Sequence, residues 1–183
     1  KIAIVILIIY ISLFISLSLF RNPIRDENIY LRETMIMSEM LKQGEWFGNS
    51  AVGIHGFIFK LPVALIYTVT GPSVVVATVF NIILAFLSAV LFYYILNRVN
   101  GFKGWALVGL LLFIGGFEFV RNTPTYLRDI PVLFSFLLFL LYTLRYKNNW
   151  ITGILLLLIL DAKEHVFYMI IPGYLIWLFI DNY

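Results

Sequence analysis

The chain has 183 residues, of which 62% are hydrophobic and 13% are charged, and it contains no cysteine. Soluble domains carry about 25% charged residues, so the composition excludes an ordinary soluble domain, and without cysteine neither a disulfide nor a thiolate metal site can form. The net charge is +3, but the cations are dispersed between apolar segments and form no basic stripe that would indicate a nucleic-acid partner.

Apolar segments long enough, or nearly long enough, to cross a bilayer recur along the chain, since a spanning helix needs about 20 apolar residues. The first lies within residues 1–20, where we interpret the run 2–20 as a retained helix rather than a signal peptide. Five further spans are predicted within residues 73–183, at 73–96, 105–119, 130–144, 151–160 and 166–180. The segment 151–160 is short, but Arg145, Lys147 and Trp150 form an interfacial anchor before it. The sequence predicts an all-α integral membrane protein with about six transmembrane helices.

The segment between the first two spans, residues 21–72, is predicted to be a loop with interfacial helices. Over residues 26–43 apolar side chains recur near helical spacing with charged side chains between them, which predicts an amphipathic helix that ends at Gly44. Its apolar stripe is predicted to contain Ile29, Met35 or Ile36, Met40 and Leu41. Residues 57–70, which include Pro62, are interpreted as a helix against the membrane face rather than a further span.

The placement of charge decides between these topologies. If residues 57–70 do not cross, the loops on one side contain no acidic residue. Their charged residues are all cations, namely Lys1, Arg98, Lys103, Arg145 and Lys147. This is the bias of cytoplasmic loops. Every acidic residue except Asp181 then falls on the opposite face, in residues 21–60, 118–129 and 161–165. We therefore expect residues 1–183 to form one multi-pass membrane domain whose active face is extracytoplasmic.

Carboxylates at the ends of the predicted spans are candidates for proton transfer. Asp26 and Glu27 follow the first span, and partial desolvation there raises the basicity of a carboxylate, which makes Asp26 a candidate general base. Acids also favour the first turn of a helix because of the helix dipole, so the pattern allows both interpretations. Arg128 and Asp129 stand on the same predicted face. They either contact a substrate or begin a helix that has Pro131 in its first turn.

Cations near the same face are candidates for binding a phosphate group. Lys163, with Glu164 and His165, interrupts an apolar hairpin, and ionisable groups at the edge of a membrane bundle are candidates for function. A polar turn is needed there in any case. Lys60 is a further candidate for binding a phosphate group. The alternative is that its side chain extends along the helix surface toward water. Nothing in the spacing of His55 and His165 indicates a metal site.

The order of these features resembles the GT-C membrane glycosyltransferases, and most closely the branch of the protein O-mannosyltransferases and aminoarabinose transferases. The motifs that carry the resemblance are Asp26-Glu27, the helix from Tyr30 to Met40 followed by Gly44-Glu45-Trp46, Phe59-Lys60-Leu61-Pro62, Gly71-Pro72-Ser73, Arg128-Asp129-Ile130-Pro131 and Asp161-Ala162-Lys163. The resemblance covers nearly the whole chain but only the N-terminal catalytic module of such enzymes, so we expect a piece of a longer protein.

The resemblance implies transfer of a sugar from a polyprenyl-phosphate donor to a hydroxyl of an acceptor protein, lipid or glycan, with inversion at the anomeric carbon. Asp26 is implied to be the catalytic base, and Glu27 and Asp129 to orient acceptor or donor. Lys60 and Lys163 are implied to hold the lipid-linked phosphate. The predicted substrate-binding set also includes Arg128, Glu164 and His165. Whether a divalent metal ion takes part is left open.

Two other classes of function fit the same sequence. One is a non-enzymatic transporter or membrane-assembly subunit, although transporters place ionisable groups near the bilayer midplane, whereas most charges here lie between the predicted spans. The other is a lipid-modifying enzyme such as an acyltransferase, which would also use interfacial acids and bases. A structure with Asp26, Asp129 and Lys163 on separate faces would favour the transporter.

Overall fold

The computed structural model describes residues 25–45, 56–100, 103–146 and 149–181, together with the single positions 5, 8, 9 and 12. Every regular element in these ranges is helical: α1 Arg25–Lys42, α2 Phe57–Thr70, α3 Val74–Asn100, α4 Lys103–Gly115, α5 Phe117–Asn122, α6 Asp129–Leu141, a π-helical turn Tyr142–Tyr146, α7 Asn149–Ala162 and α8 Glu164–Asp181. The all-α prediction is confirmed for this part of the chain. The predicted first span lies outside the described residues apart from those four positions.

Helix α3 lies at the centre of the packing because one of its faces is built from small residues. It contacts α4 and α6, while α1 packs on α2, α2 on α7, and α7 between α6 and α8. The small residues recur every fourth position on α3 and are all buried, namely Ala77, Asn81, Ala85 and Ala89. Such residues let helix backbones approach closely. The stripe therefore explains why neighbouring helices pack against this face of α3.

Buried apolar side chains form three clusters between these helices. The cluster of α1, α2 and α3 contains Leu31, Phe59, Val63, Tyr67, Ala77 and Tyr126. The cluster of α3 to α6 contains Ala85, Ala89, Leu110, Ile114, Phe119 and Ile130. The cluster of α6 and α7 contains Phe139, Leu155, Leu156 and Ile159. The first of these clusters positions the candidate site, because it joins α1 and α2 to the loop that precedes α6.

Helix boundaries follow the predictions except where glycine interrupts the chain. Helix α1 ends at Lys42, and Gly44 has a φ of +78°, a conformation that glycine adopts without steric cost. The segment predicted as one span over 105–119 is divided, since α4 ends at Gly115 and the short α5 begins after the extended residue Gly116. Glycine has low helix propensity, and the adjacent pair explains the break.

The buried face of α1 differs from the predicted apolar stripe. Ile29 and Met35 are exposed, whereas Glu27, Thr34 and Ser38 are buried. Polar groups are buried at little cost when they are hydrogen-bonded, and the hydroxyls of Thr34 and Ser38 donate to carbonyls of their own helix. The buried face of α1 thus combines these polar groups with apolar side chains, and it includes Met40 of the predicted stripe but not Ile29 or Met35.

Within the described ranges, α3 is the one helix that is both long and apolar enough to cross a bilayer. Its apolar part, Val74–Arg98, has 25 residues, which at about 1.5 Å per residue reaches ~37 Å, against about 30 Å of hydrocarbon. Only 39% of its most apolar window is buried inside the protein, so it is not enclosed as a core helix would be. Three further apolar helices are shorter, Phe57–Thr70, Gly104–Gly115 and Trp150–Ala162.

Candidate functional site

The ends of α2, α6 and α7 meet at one end of the bundle. The side-chain Oδ2 of Asp161 accepts a hydrogen bond from the backbone N–H of Ile58 at 3.0 Å, and the carbonyl oxygen of Asp161 accepts one from Gly56 at 2.7 Å. The first N–H groups of a helix lack partners within that helix and favour an anion. Asp161 therefore attaches the start of α2 to the end of α7, one residue before Ala162 completes that helix.

Lys163 and Asp129 form an ion pair at the same end of the bundle. The Nζ of Lys163 donates to Oδ1 of Asp129, and the side chains are 25% and 33% exposed. Asp129 lies in the first turn of α6, which favours an anion. Lys163 lies between the C-terminal end of α7 and the N-terminal end of α8, whose dipoles act on its charge in opposite directions. The structure thus brings two predicted site residues together and leaves the lysine accessible. The separation onto different faces that would favour a transporter is not found for this pair.

Tyr30 lies among the charged residues of this end. The guanidinium of Arg128 stacks over its ring, with Cζ 5.9 Å from the centroid. Burial raises the pKa of Tyr30; the charge of Arg128 opposes this, and the carboxylates of Asp129, Glu33 and Asp26 add to it. These four groups are therefore near one phenol, and three of them are predicted site residues. Sequence reasoning missed Tyr30, whose only local signal is its position one helical turn after Asp26.

Glu27 is fully buried and contacts the loop before α6. Its Oε1 accepts a hydrogen bond from the backbone N–H of Tyr126 at 2.7 Å. The hydroxyl of Tyr126 in turn lies 3.1 Å from that of Thr34. Burial raises the pKa of Tyr126 well above its ordinary value, and the hydrogen bond with Thr34 opposes this shift in part. The geometry thus favours a loop-positioning role for Glu27 in place of the predicted contact with acceptor or donor.

Lys60 is also fully buried, and its Nζ donates to Oε2 of Glu33 at 2.7 Å. Buried ion pairs lose hydration, and removing one partner leaves an uncompensated charge. In this conformation Lys60 joins α2 to α1 and does not reach a phosphate at the surface. The phosphate contact predicted for Lys60 stays a prediction and requires this buried pair to open, whereas the side chain of Lys163 is 25% exposed.

Asn81 holds the loop before α6 from the other side. Its Nδ2 donates to the carbonyl oxygens of Asn122, Thr123 and Thr125, at 3.1, 3.3 and 2.6 Å. Asn81 is fully buried and its Oδ1 has no hydrogen-bond partner. Sequence reasoning missed this residue, although a polar amide within an apolar helix is a signal in its own right.

An apolar groove lies beside the Lys163–Asp129 pair, between α2, α3, α6 and α7. Its volume is about 190 Å³. Its walls consist of Ile58, Phe59, Pro62, Phe80, Leu84, Pro131, Phe134, Ser135, Leu138, Leu158, Asp161 and Ala162. Two of these residues adjoin the ion pair along the chain, since Pro131 follows Asp129 by two positions and Ala162 precedes Lys163 directly. An amphiphile in the groove would therefore have its polar end near the lysine.

No family model, curated protein or solved structure matches the chain.

The remaining predicted site residues are exposed. Asp26, Glu164 and His165 are exposed, and His55 lies outside the described residues. Among residues that the structure does describe, no three or more His, Asp or Glu side chains are grouped to hold a metal ion. The exposed groups at this end thus include a carboxylate on α1, and a partly exposed ammonium lies beside the apolar groove.

Proposed function

We propose that this chain is the catalytic membrane module of a glycosyltransferase that uses a polyprenyl-phosphate-linked sugar and acts on the extracytoplasmic face. The observation that carries the proposal is the accessible Lys163–Asp129 pair next to the apolar groove. A polyprenyl phosphosugar needs an apolar surface for its tail and a cation for its phosphate. Both features lie within one part of the bundle, as this substrate requires.

The proposal includes about six membrane spans, and exposed side chains support it. Large apolar residues on several helices face outward, among them Ile83, Leu112, Leu157, Met169 and Ile176. Such an outward surface is unfavourable in water, whereas hydrocarbon solvates it at no cost. These residues lie on α3, α4, α7 and α8, so lipid contact is proposed for four helices and not for α3 alone.

The proposed reaction is a single displacement at the anomeric carbon. The acceptor oxygen forms a bond to that carbon while the bond from carbon to phosphate oxygen breaks, and the hydroxyl proton passes to Asp26. The phosphate leaves on its lipid beside Lys163, which exchanges its contact with Asp129 for the phosphate. Stabilising the developing negative charge by a prepositioned cation is an electrostatic contribution of several kcal/mol in enzymes. Acceptors of this chemistry are hydroxyls of a protein, a lipid or a glycan.

Sugar transfer by the full-length protein in lipid vesicles tests the proposal. The donor is a polyprenyl phosphosugar with a radiolabelled sugar, and the rate is compared between wild type and Asp26→Asn. We expect a fall of about 100-fold or more, the usual contribution of a general base. Glu39→Gln is the matched control, because it removes an exposed carboxylate from the same helix, and it should keep the wild-type rate. Equal rates for wild type and Asp26→Asn would remove the proposed base.

A further inference from the structure

At the end of the bundle opposite Lys163, two arginines stack on one aromatic ring. The Cζ of Arg98 is 5.8 Å from the centroid of the Tyr94 ring, and the Cζ of Arg145 is 5.2 Å from it. Arg98 lies in the last turns of α3 and Arg145 in the π-helical turn after α6. Both arginines are exposed. Tyr94 therefore contacts two exposed positive groups, one from α3 and one from the π-helical turn.

The chain around this cluster is rich in cations. The connections that follow α3 and α6 contain Arg98, Lys103, Arg145 and Lys147 and no acidic residue. Like charges at the protein surface repel one another. An anion placed between two guanidinium groups removes this repulsion and receives charge-assisted, bidentate hydrogen bonds. The cluster thus has the positive charge and the hydrogen-bond donors that bind a phosphate group.

Two exposed tryptophans follow the same connections. Trp105, in the first turn of α4, is 65% exposed, and Trp150, in the first turn of α7, is 86% exposed. Leu144, beside Arg145, is exposed too. Tryptophan is enriched at the boundary between hydrocarbon and headgroups, where its ring is apolar and its N–H is solvated. The tryptophans thus place the two arginines at the depth of lipid headgroups.

We propose that Tyr94, Arg98 and Arg145 form a site for the phosphate of an anionic phospholipid. This inference rests on the membrane embedding in the proposed function and not on the transfer of sugar. Guanidinium groups match the geometry of a phosphate better than ammonium groups do. Anionic lipids are enriched in the cytoplasmic leaflet, which is the side that the cation-rich connections face in the proposed topology.

Thermal unfolding of the full-length protein in neutral detergent tests the site. Short-chain phosphatidylglycerol is expected to raise the unfolding temperature, while phosphatidylcholine and inorganic phosphate leave it unchanged. In Arg98→Gln/Arg145→Gln, the concentration of phosphatidylglycerol for half of the effect should rise about tenfold, which corresponds to the loss of about 1.4 kcal/mol. Tyr94→Phe keeps the ring and should keep the response, whereas Tyr94→Leu should weaken it.

The matched control is Arg32→Gln/Lys42→Gln, which removes two exposed cations from α1 and should respond as wild type does. Should the arginine double variant fail to fold, quenching of tryptophan fluorescence by brominated phosphatidylglycerol and phosphatidylcholine in the single variants makes the same comparison. An equal effect of both lipids, or the full effect from inorganic phosphate, overturns the site. Asp26→Asn should keep the lipid response, so failure of the transferase proposal is distinguishable from failure of this one.

Discussion

The ammonium of Lys163 pairs with the carboxylate of Asp129 across 34 positions of sequence. The aspartate stands in the first turn of α6, where the helix dipole favours an anion, and the lysine stands between the end of α7 and the start of α8. Because both side chains are partly exposed, the pair can open to a ligand without unfolding. The apolar groove adjoins this pair along the chain, since its lining residue Ala162 directly precedes Lys163.

Lys163→Gln should weaken the use of the phosphate-linked donor more than it weakens folding. The variant removes the cation, so we expect the KM for the donor to rise about tenfold, as for the loss of one charge-assisted hydrogen bond. The free energy of unfolding should change by less than about 1 kcal/mol, since partly exposed ion pairs contribute little. Initial rates at varied donor concentration measure the effect. Lys42→Gln is the control, and an unchanged KM in Lys163→Gln would contradict the assignment.

Ser135→Trp should block long donors selectively. Ser135 lines the apolar groove, and an indole there fills much of a volume of about 190 Å³. We expect at least a tenfold loss of transfer from a long-chain polyprenyl donor and a smaller loss from a donor with a short tail. Ser135→Ala, which leaves the groove open, should behave as wild type. Equal losses for long and short donors would show that the groove does not hold the tail.

Glu27→Leu should be more destabilising than Glu27→Gln. Leucine leaves the buried N–H of Tyr126 without an acceptor, which costs about 1–3 kcal/mol, whereas glutamine keeps a side-chain oxygen at that position. Chemical or thermal unfolding measures the difference. Asp26→Asn changes the exposed neighbour and should stay within about 0.5 kcal/mol of wild type. If both Glu27 variants unfold alike, the hydrogen bond to the loop is not what Glu27 contributes.

Asn81→Leu should destabilise the loop that carries Arg128 and Asp129. The substitution removes an NH2 group whose two hydrogens serve three carbonyl oxygens. At about 0.6 kcal/mol for each of two full hydrogen bonds inside a membrane protein, the loss is ~1 kcal/mol. Transfer should fall as well, because the loop positions both charged residues. Ser88→Ala is the control on the same helix, since its hydroxyl donates to the carbonyl of Leu84 within that helix. Wild-type stability of Asn81→Leu would exclude the role.

Tyr126 should make the protein sensitive to alkaline pH. Burial raises its pKa above the ordinary value of 10.0, so the unfolded chain releases the phenolic proton at a pH where the folded chain still holds it. The stabilisation is complete below pH 10 and is lost as the pH rises above it, at up to about 1.4 kcal/mol per pH unit. Tyr126→Phe should have a flatter decline in unfolding free energy between pH 9 and pH 11.5.

Thr34→Val provides the matched control for that measurement. It removes the hydrogen-bond partner of Tyr126 but leaves the phenol buried, so the protein should be less stable at all pH values and keep a steep alkaline decline. A decline in Tyr126→Phe as steep as in wild type would contradict the assignment of the alkaline transition to this residue.

The helices could be predicted because their signals lie within a few neighbouring residues. Apolar runs, the amphipathic pattern of α1 and its end at Gly44 are local features, and so is the preference of Asp129 for a helix start. Composition and hydropathy also predicted a bilayer around α3. The positions and ends of helices depend on backbone geometry and on the preference of each side chain for water or hydrocarbon. Both can be read from neighbouring residues.

The assignments within the site depended on tertiary structure. Asp26 and Glu27 are adjacent, yet one is exposed and the other is buried against the backbone of Tyr126, 99 positions away. The sequence predicts a phosphate contact for Lys60 and Lys163 alike. Only the packing of α2 on α1 brings Lys60 into an ion pair with Glu33. The burial of a side chain and its hydrogen-bond or ion-pair partner are set by contacts between residues far apart in sequence. A local sequence pattern does not show which distant residue the fold places beside it.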